Sequence, residues 1–179
     1  EGGLFRLLEL SPYVLSYEVQ PSRERLPLGD TFLDYIPDLR VFLGDGSEWW
    51  VEVKPASKLS IFSVKQKLSA ASIHFPATNR NFLVVTDELI WREPLAANLQ
   101  KILYHRRGPL LSVAERAEVS SKLSKYKPQI FHDLISIFGR MEAWRLLGLC
   151  VIGIDLEEPF VDESQVFLSG GHRHANIFA

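Results

Sequence analysis

The stretch YIPDLRVFLGDGSEWWVEVKP, residues 35–55, constrains the fold more than any other part of the chain. Apolar and polar side chains alternate with a period of two on both sides of Gly44-Asp45-Gly46, the pattern of a β-hairpin with strands over 35–43 and 48–54. Pro55 ends the second strand, because proline has no N–H to give to a ladder. Residues two apart share a face of a strand. Trp49, Val51 and Val53 therefore join Leu39, Val41 and Leu43 on one apolar face, expected to be core. Trp50, Glu52 and Lys54 share the opposite, polar face with Asp38 and Arg40.

The surrounding elements set this hairpin in an α/β context. LFRLLEL (4–10) has leucines at helical spacing and stops at Ser11-Pro12, and VLSYEVQP (14–21) alternates as a strand. SRERLPLGDT is expected to be a polar turn region. After Pro55, SKLSIFSVKQKLSAASIHF places Ile61, Val64, Leu68, Ala71 and Phe75 in a helical stripe, with Ser57 as N-cap. NFLVVTD (81–87) is a short continuous apolar run, as in a buried central strand. The order α-β-β-β-α-β implies an α/β sandwich rather than a doubly wound sheet.

From Trp91 onward the pattern becomes helical. Helices are expected over PLAANLQKILYHRR, SVAERAEVSSKLSKY, PQIFHDLISIF and RMEAWRLLGLCVIGI, the second opening on a Ser112/Glu115 capping box. A short hairpin over 154–169 would close the region, and helices followed by a hairpin suggest a winged-helix module. The expected domains are thus 1–91, 92–169 with a winged-helix-like character, and a tail or linker over 170–179.

The composition suits a globular chain: 179 residues, 46% of them hydrophobic. No apolar run approaches the roughly 18–20 residues that span a bilayer, and the start lacks a basic-then-apolar leader. The single cysteine, Cys150, lies in the apolar LLGLCVIGI and is expected to be a buried thiol. An intracellular, cytoplasmic protein is the expectation. The chain opens on Glu1 without Met, which suggests a trimmed segment with further chain upstream. A net charge of −2 argues against a non-specific cationic DNA coat, yet residues 92–145 carry 10 Lys/Arg against 5 Asp/Glu. That asymmetry permits a local basic surface on an acidic protein.

The polar face of the hairpin carries the chemistry. With Asp38 and Glu52 on one side of the same sheet, two carboxylates and a backbone carbonyl, that of Val53, form a hard oxygen set suited to Mg²⁺ or Mn²⁺. A lysine beside such a cation, Lys54, can orient or help deprotonate an attacking water. Val-Glu-Val-Lys alone also describes an ordinary exposed strand face. The ordered combination of Pro37-Asp38, the glycine turn, Glu-x-Lys and the following proline and helix favours a phosphodiester hydrolase.

IPDLRV…WVEVKP resembles the PD-(D/E)xK nuclease signature. The wider pattern, with QP before Y-x-PD and EVKPASKL after it, resembles the TnsA family, the endonuclease subunit of heteromeric bacterial transposases. The resemblance covers roughly residues 1–90. It implies a restriction-endonuclease-like sandwich, a mixed sheet flanked by helices, and Mg²⁺-dependent cleavage of double-stranded DNA at the 5′ ends of a transposon. A separate transposase subunit and an AAA+ ATPase regulator would be partners in the bacterial cytoplasm. It also implies Glu1 as a third acidic ligand beside Asp38 and Glu52, with Lys54 as the catalytic lysine. A stand-alone nuclease of the same superfamily, for restriction or repair, and a docking adaptor with a vestigial site are the alternatives.

Lys58, Lys65 and Lys67, on or near the helix after the active strand, are candidate phosphate contacts, as are Arg140 and Arg145 around the last helix. Solvated helix faces explain the same residues. Gln20 could lie near the site or simply end a strand. Arg106-Arg107 suits a helix C-terminus, and Trp144 suits a core. His172 and His174 form an H-x-H pair capable of chelation, although a Gly-rich setting suggests a tail. His105 and His132 have no neighbours in sequence that would make them catalytic.

Overall fold

The computed structural model describes residues 1–106 and 108–178; of the Arg106-Arg107 pair, Arg107 lies outside the described residues. The chain is α/β with a mixed sheet. It divides into two compact units: Glu1 with Tyr13–Trp91 and the segment from Asn176, and Gly2–Pro12 with Arg92–Ala175.

In the first unit, β1 (Val14–Val19), β4 (Leu39–Leu43), β5 (Glu48–Val53) and β6 (Asn81–Val85) form one sheet in the order β1-β4-β5-β6. β4 runs antiparallel to both β1 and β5, while β5 and β6 are parallel. The parallel pair is joined by α2 (Phe62–Ala77), as a parallel connection requires a crossover. The register pairs Leu39 with Val51 and Val41 with Trp49, so the expected apolar face forms; Leu39, Val41, Leu43 and Val51 are buried, Trp49 and Val53 half-buried.

The opposite face differs from the expectation of a polar surface. Trp50 and Glu52 are only 8% and 1% exposed. The cover is α2 together with a second hairpin, β2 (Glu24–Leu28) and β3 (Thr31–Tyr35), in the stretch expected to be a polar turn. Pro27 within β2 hides this strand from sequence reading; the strand accommodates it because β2 is half of a two-stranded ribbon with a free edge. Leu26, Tyr35, Trp50, Ala70, Ala71 and Phe75 pack together, with Phe82 stacked on Phe75 at 5.1 Å. The expected single strand over 35–43 is broken at Ile36-Pro37-Asp38, where the chain passes from hairpin to sheet. Arg80 closes the rim, lying over the rings of Phe75 and Trp50 and forking onto both oxygens of Glu24 at 2.8 and 3.1 Å. That guanidinium holds the Glu24 carboxyl below its usual range, against the opposing effect of burial.

The helix after β5 also starts later than expected. Ala56–Lys58 form a 3₁₀ turn, and α2 begins at Phe62 with no side-chain cap, so Ser57 is not its N-cap. Ala70, Ala71 and Phe75 are its buried residues, whereas Ile61 is exposed.

The second unit is helical: α1 (Gly2–Leu10), α4 (Leu95–His105), α5 (Val113–Tyr126), α6 (Phe131–Phe138) and α7 (Arg140–Gly148), with the short α3 (Asp87–Ile90) preceding it in the first unit. α1 packs on α4, and α7 packs on α4 and α6. The Ser112/Glu115 capping box forms as its spacing predicts. Trp144 is core, in contact with Phe131, Phe160 and His105. Of the hairpin expected over 154–169 only an isolated bridge, Gly153 to Phe167, is present among the described residues, and Gln165 bridges Ile130 instead.

Residues 170–178 are not a tail. Arg173 bridges Asp155, and His172 is 1% exposed. Gly153 meets Gly171 backbone to backbone, so closely that a Cβ on Gly153 would fall 1.7 Å from the Gly171 carbonyl oxygen. His172 Nδ1 accepts from the Ile154 N–H at 3.3 Å, which leaves Nε2 to donate to the Leu147 carbonyl at 3.0 Å. Both ring nitrogens are therefore committed to backbone, which assigns His172 to structure rather than chelation.

Burial of His172, partly offset by its bond to Leu147, pushes its pKa from 6.5 down to about 4. The folded ring stays neutral while the unfolded one protonates first, so stability is unaffected above pH 6.5 and falls as pH drops from there towards 4. We expect about 3 kcal/mol to be lost over that window. Urea denaturation at stepped pH should show the slope, and His172→Gln should flatten it while lowering stability at neutral pH.

Candidate active site

The site is built where β4 and β5 run side by side. Asp38 immediately precedes β4, and the pairing of Leu39 with Val51 carries it opposite Glu52 on the same face. The Val53 N–H donates to Asp38 Oδ2 at 2.7 Å, tying that carboxylate to the end of β5. Gln20 secures the other side: its N–H donates to the Asp38 carbonyl at 2.9 Å, from a left-handed backbone with φ of 48°.

Lys54 sits at the convergence of three oxygens. Its Nζ lies 2.7 Å from Glu52 Oε1 and 3.9 Å from Asp38 Oδ2, and donates to the Val53 carbonyl at 3.2 Å. Burial disfavours the ammonium, but the bond and charge of Glu52, with the charges of Asp38 and Glu1, outweigh it and raise the Lys54 pKa. Lys54 therefore remains a cation at neutral pH. Glu1 belongs to the same unit as the sheet, and its charge acts on Lys54.

Tyr35 completes the arrangement, and nothing in the alternation singles it out. It ends β3, is 1% exposed, and donates its phenol to Glu52 Oε2 at 2.7 Å. Burial first, then the charge and hydrogen bond of Glu52, drive its pKa upward, so the phenol stays protonated as a donor. Asp87 is a second residue that sequence reading passes over. It accepts the Ala56 N–H at 2.7 Å, while the Lys54 N–H donates to Val85. Both bonds anchor the turn that follows β5.

Among the described residues, no group of three or more His, Cys, Asp or Glu gathers as a metal cluster. The oxygen set available is the carboxylate pair and the Val53 carbonyl, already collected around one positive charge. Hard oxygen donors of this kind suit Mg²⁺ or Mn²⁺, and neither thiol nor imidazole takes part.

The candidate DNA contacts divide by location. Lys67 and Lys54 line an open recess of about 310 Å³ with Leu33, Ser63, Val64 and Leu68, and Lys67 Nζ lies 4.9 Å over the Tyr35 ring. Lys58 and Lys65 are exposed on the 3₁₀ turn and on α2. Arg140 pairs with Asp162 at 3.1 Å. Arg145 pairs with Glu142 at 3.2 Å and donates to the Pro109 carbonyl at 2.9 Å, which accounts for it within the helical unit. That unit holds a larger recess, about 840 Å³, lined by Leu111, Val119, Leu123, Cys150 and the cations Arg116 and Lys127. Among the described residues no carboxylate lines it, unlike the sheet site. Burial raises the Cys150 thiol pKa, as the apolar run around it suggests.

No protein-family model matches the chain, and a search of curated proteins finds no match. Among the described residues, no helix is long and apolar enough to cross a membrane.

Glu52 is 1% exposed and Lys54 26%, so removing the lysine strands a buried carboxylate. Lys54→Met should destabilise the protein by about 2–3 kcal/mol, near the low end for a broken buried pair because the lysine is partly solvated. The double variant Lys54→Met with Glu52→Gln should recover most of that loss in equilibrium denaturation. Additive single effects would show that the two groups are not coupled.

Proposed function

We propose that the chain is a metal-dependent DNA endonuclease of the PD-(D/E)xK type, acting as a TnsA-like subunit that cuts the 5′ ends of a transposon. The observation that carries this reading is the convergence of Asp38, Glu52 and the Val53 carbonyl on Lys54 Nζ. The motif order IPD…EVKPASKL supports it, and the mixed sheet with a parallel crossover after β5 is compatible with a restriction-endonuclease-like sandwich. The helical unit is assigned to winged-helix-like docking of DNA or partner proteins, namely a transposase and an AAA+ ATPase regulator, in the bacterial cytoplasm.

In this reading Asp38, Glu52 and the Val53 carbonyl, with Glu1 beside them, hold Mg²⁺ or Mn²⁺. A hard divalent cation in that position offsets negative charge developing on the phosphoryl oxygens. Lys54, beside the same carboxylates, would orient the attacking water or help to deprotonate it. Water attacks phosphorus in line and gives up a proton, and the bond to the 3′ oxygen breaks as that oxygen takes one. The products are a 5′ phosphate and a 3′ hydroxyl. Lys67, on the recess beside Lys54, meets a backbone phosphate.

Asp38→Asn keeps an acceptor for the Val53 N–H while removing the charge. It should lower Mg²⁺-dependent cleavage of a transposon-end duplex at least about 100-fold, in a reaction reconstituted with the transposase and ATPase. Wild-type protein that never cuts with its partners present would point instead to an adaptor, and vigorous cutting without them to a stand-alone nuclease.

Lys67→Ala should weaken duplex binding across all sequences and reduce the slope of log affinity against log salt by about 1. Fluorescence anisotropy over a salt series measures both; an unchanged slope removes Lys67 from the DNA path.

A further inference from the structure

We propose that Tyr35 sets the cation preference of the site by withholding one oxygen of Glu52, an inference that rests on the nuclease reading above. Glu52 lies on β5, which is paired on both sides, by β4 and by β6, so its backbone has little freedom. Its two carboxylate oxygens have separate partners: Oε2 accepts the Tyr35 phenol at 2.7 Å, and Oε1 faces Lys54 Nζ at 2.7 Å. The phenol cannot swing away easily. Its ring is 1% exposed, wedged edge-on against Phe75 and Phe82 at 6.1 and 6.3 Å, and covered by Lys67 Nζ at 4.9 Å.

The phenol takes one lone pair of Oε2 and fixes the turn of the carboxylate, so Glu52 offers Oε1, in exchange for Lys54, more readily than both oxygens to a cation beside Asp38. Mg²⁺ is small and octahedral and accepts carboxylates one oxygen at a time, whereas Ca²⁺ takes six to eight oxygens and commonly binds a carboxylate through both. A tyrosine that occupies Oε2 thus penalises Ca²⁺ more than Mg²⁺. Tyr35 is a positioning residue in this account, acting through Glu52 and touching neither DNA nor cation. Its place three residues before Asp38 in the chain puts the selectivity element and one ligand on the same short segment.

Isothermal titration calorimetry of the full chain with Mg²⁺ alone and with Ca²⁺ alone tests this without any cleavage assay. Tyr35→Phe deletes only the hydroxyl, and the ratio of Ca²⁺ to Mg²⁺ affinity should rise at least about tenfold as Oε2 is released. A ratio that stays the same, with wild type binding both ions, overturns the role of Tyr35 and leaves the nuclease reading intact. Wild-type protein that binds neither ion overturns the nuclease reading, and this inference with it. Should Tyr35→Phe fail to fold, 3-fluorotyrosine at position 35 keeps the ring and strengthens the donor. The affinity ratio should then fall, and a rise would overturn the proposal.

Discussion

The first unit depends on a carboxylate kept almost entirely out of water. Glu52 is 1% exposed in the middle of a sheet, a setting in which an unpaired charge would be costly. Tyr35 supplies a hydrogen bond to one oxygen and Lys54 a charge to the other. To bring a phenol above the sheet, the fold needs the β2–β3 hairpin, and to bring the hairpin down on the sheet it needs the core of Phe75, Phe82 and Trp50. The second layer of the unit can be understood as the apparatus that makes a buried glutamate tolerable.

Lys54 has a related effect. A set of oxygens able to hold a divalent cation repels itself when nothing fills it, and many such sites depend on the ion for their stability. Here the chain brings its own positive charge to the same oxygens. The negative charge gathered at the end of β5 is therefore offset from within the chain, by a side chain two residues from Glu52.

The face logic of the site was legible from alternation alone: Asp38 and Glu52 on one side, Leu39, Val41 and Val51 on the other. The cover over that side was not. Pro27 and the charges of SRERLPLGDT give no periodic signal, because a two-stranded ribbon at the margin tolerates both. Tyr35 is invisible for a different reason. Its partner lies 17 residues away on a strand belonging to another sheet, and only the break at Ile36-Pro37-Asp38 turns it back over Glu52. The helices from Leu95 onward were readable through periodicity and the Ser112 cap, except that the last stops at Gly148 instead of running on to Ile154, Cys150 taking a left-handed backbone with φ of 56°. The packing of 170–178 depends on a close Gly153–Gly171 approach and a buried imidazole. Neither leaves a pattern in a segment rich in glycine.

The two units are interleaved along the chain rather than consecutive. Glu1 and the stretch from Asn176 group with the sheet, while Gly2–Pro12 groups with the later helices. Trp49 of β5 rests against Phe178 at 5.8 Å, and α1 rests against α4. A cut after Trp91 would deprive a strand of its aromatic neighbour and orphan the four buried leucines of the first helix. The molecule is not divisible at the point where its amino-acid pattern changes, so dissecting its functions calls for single substitutions rather than fragments.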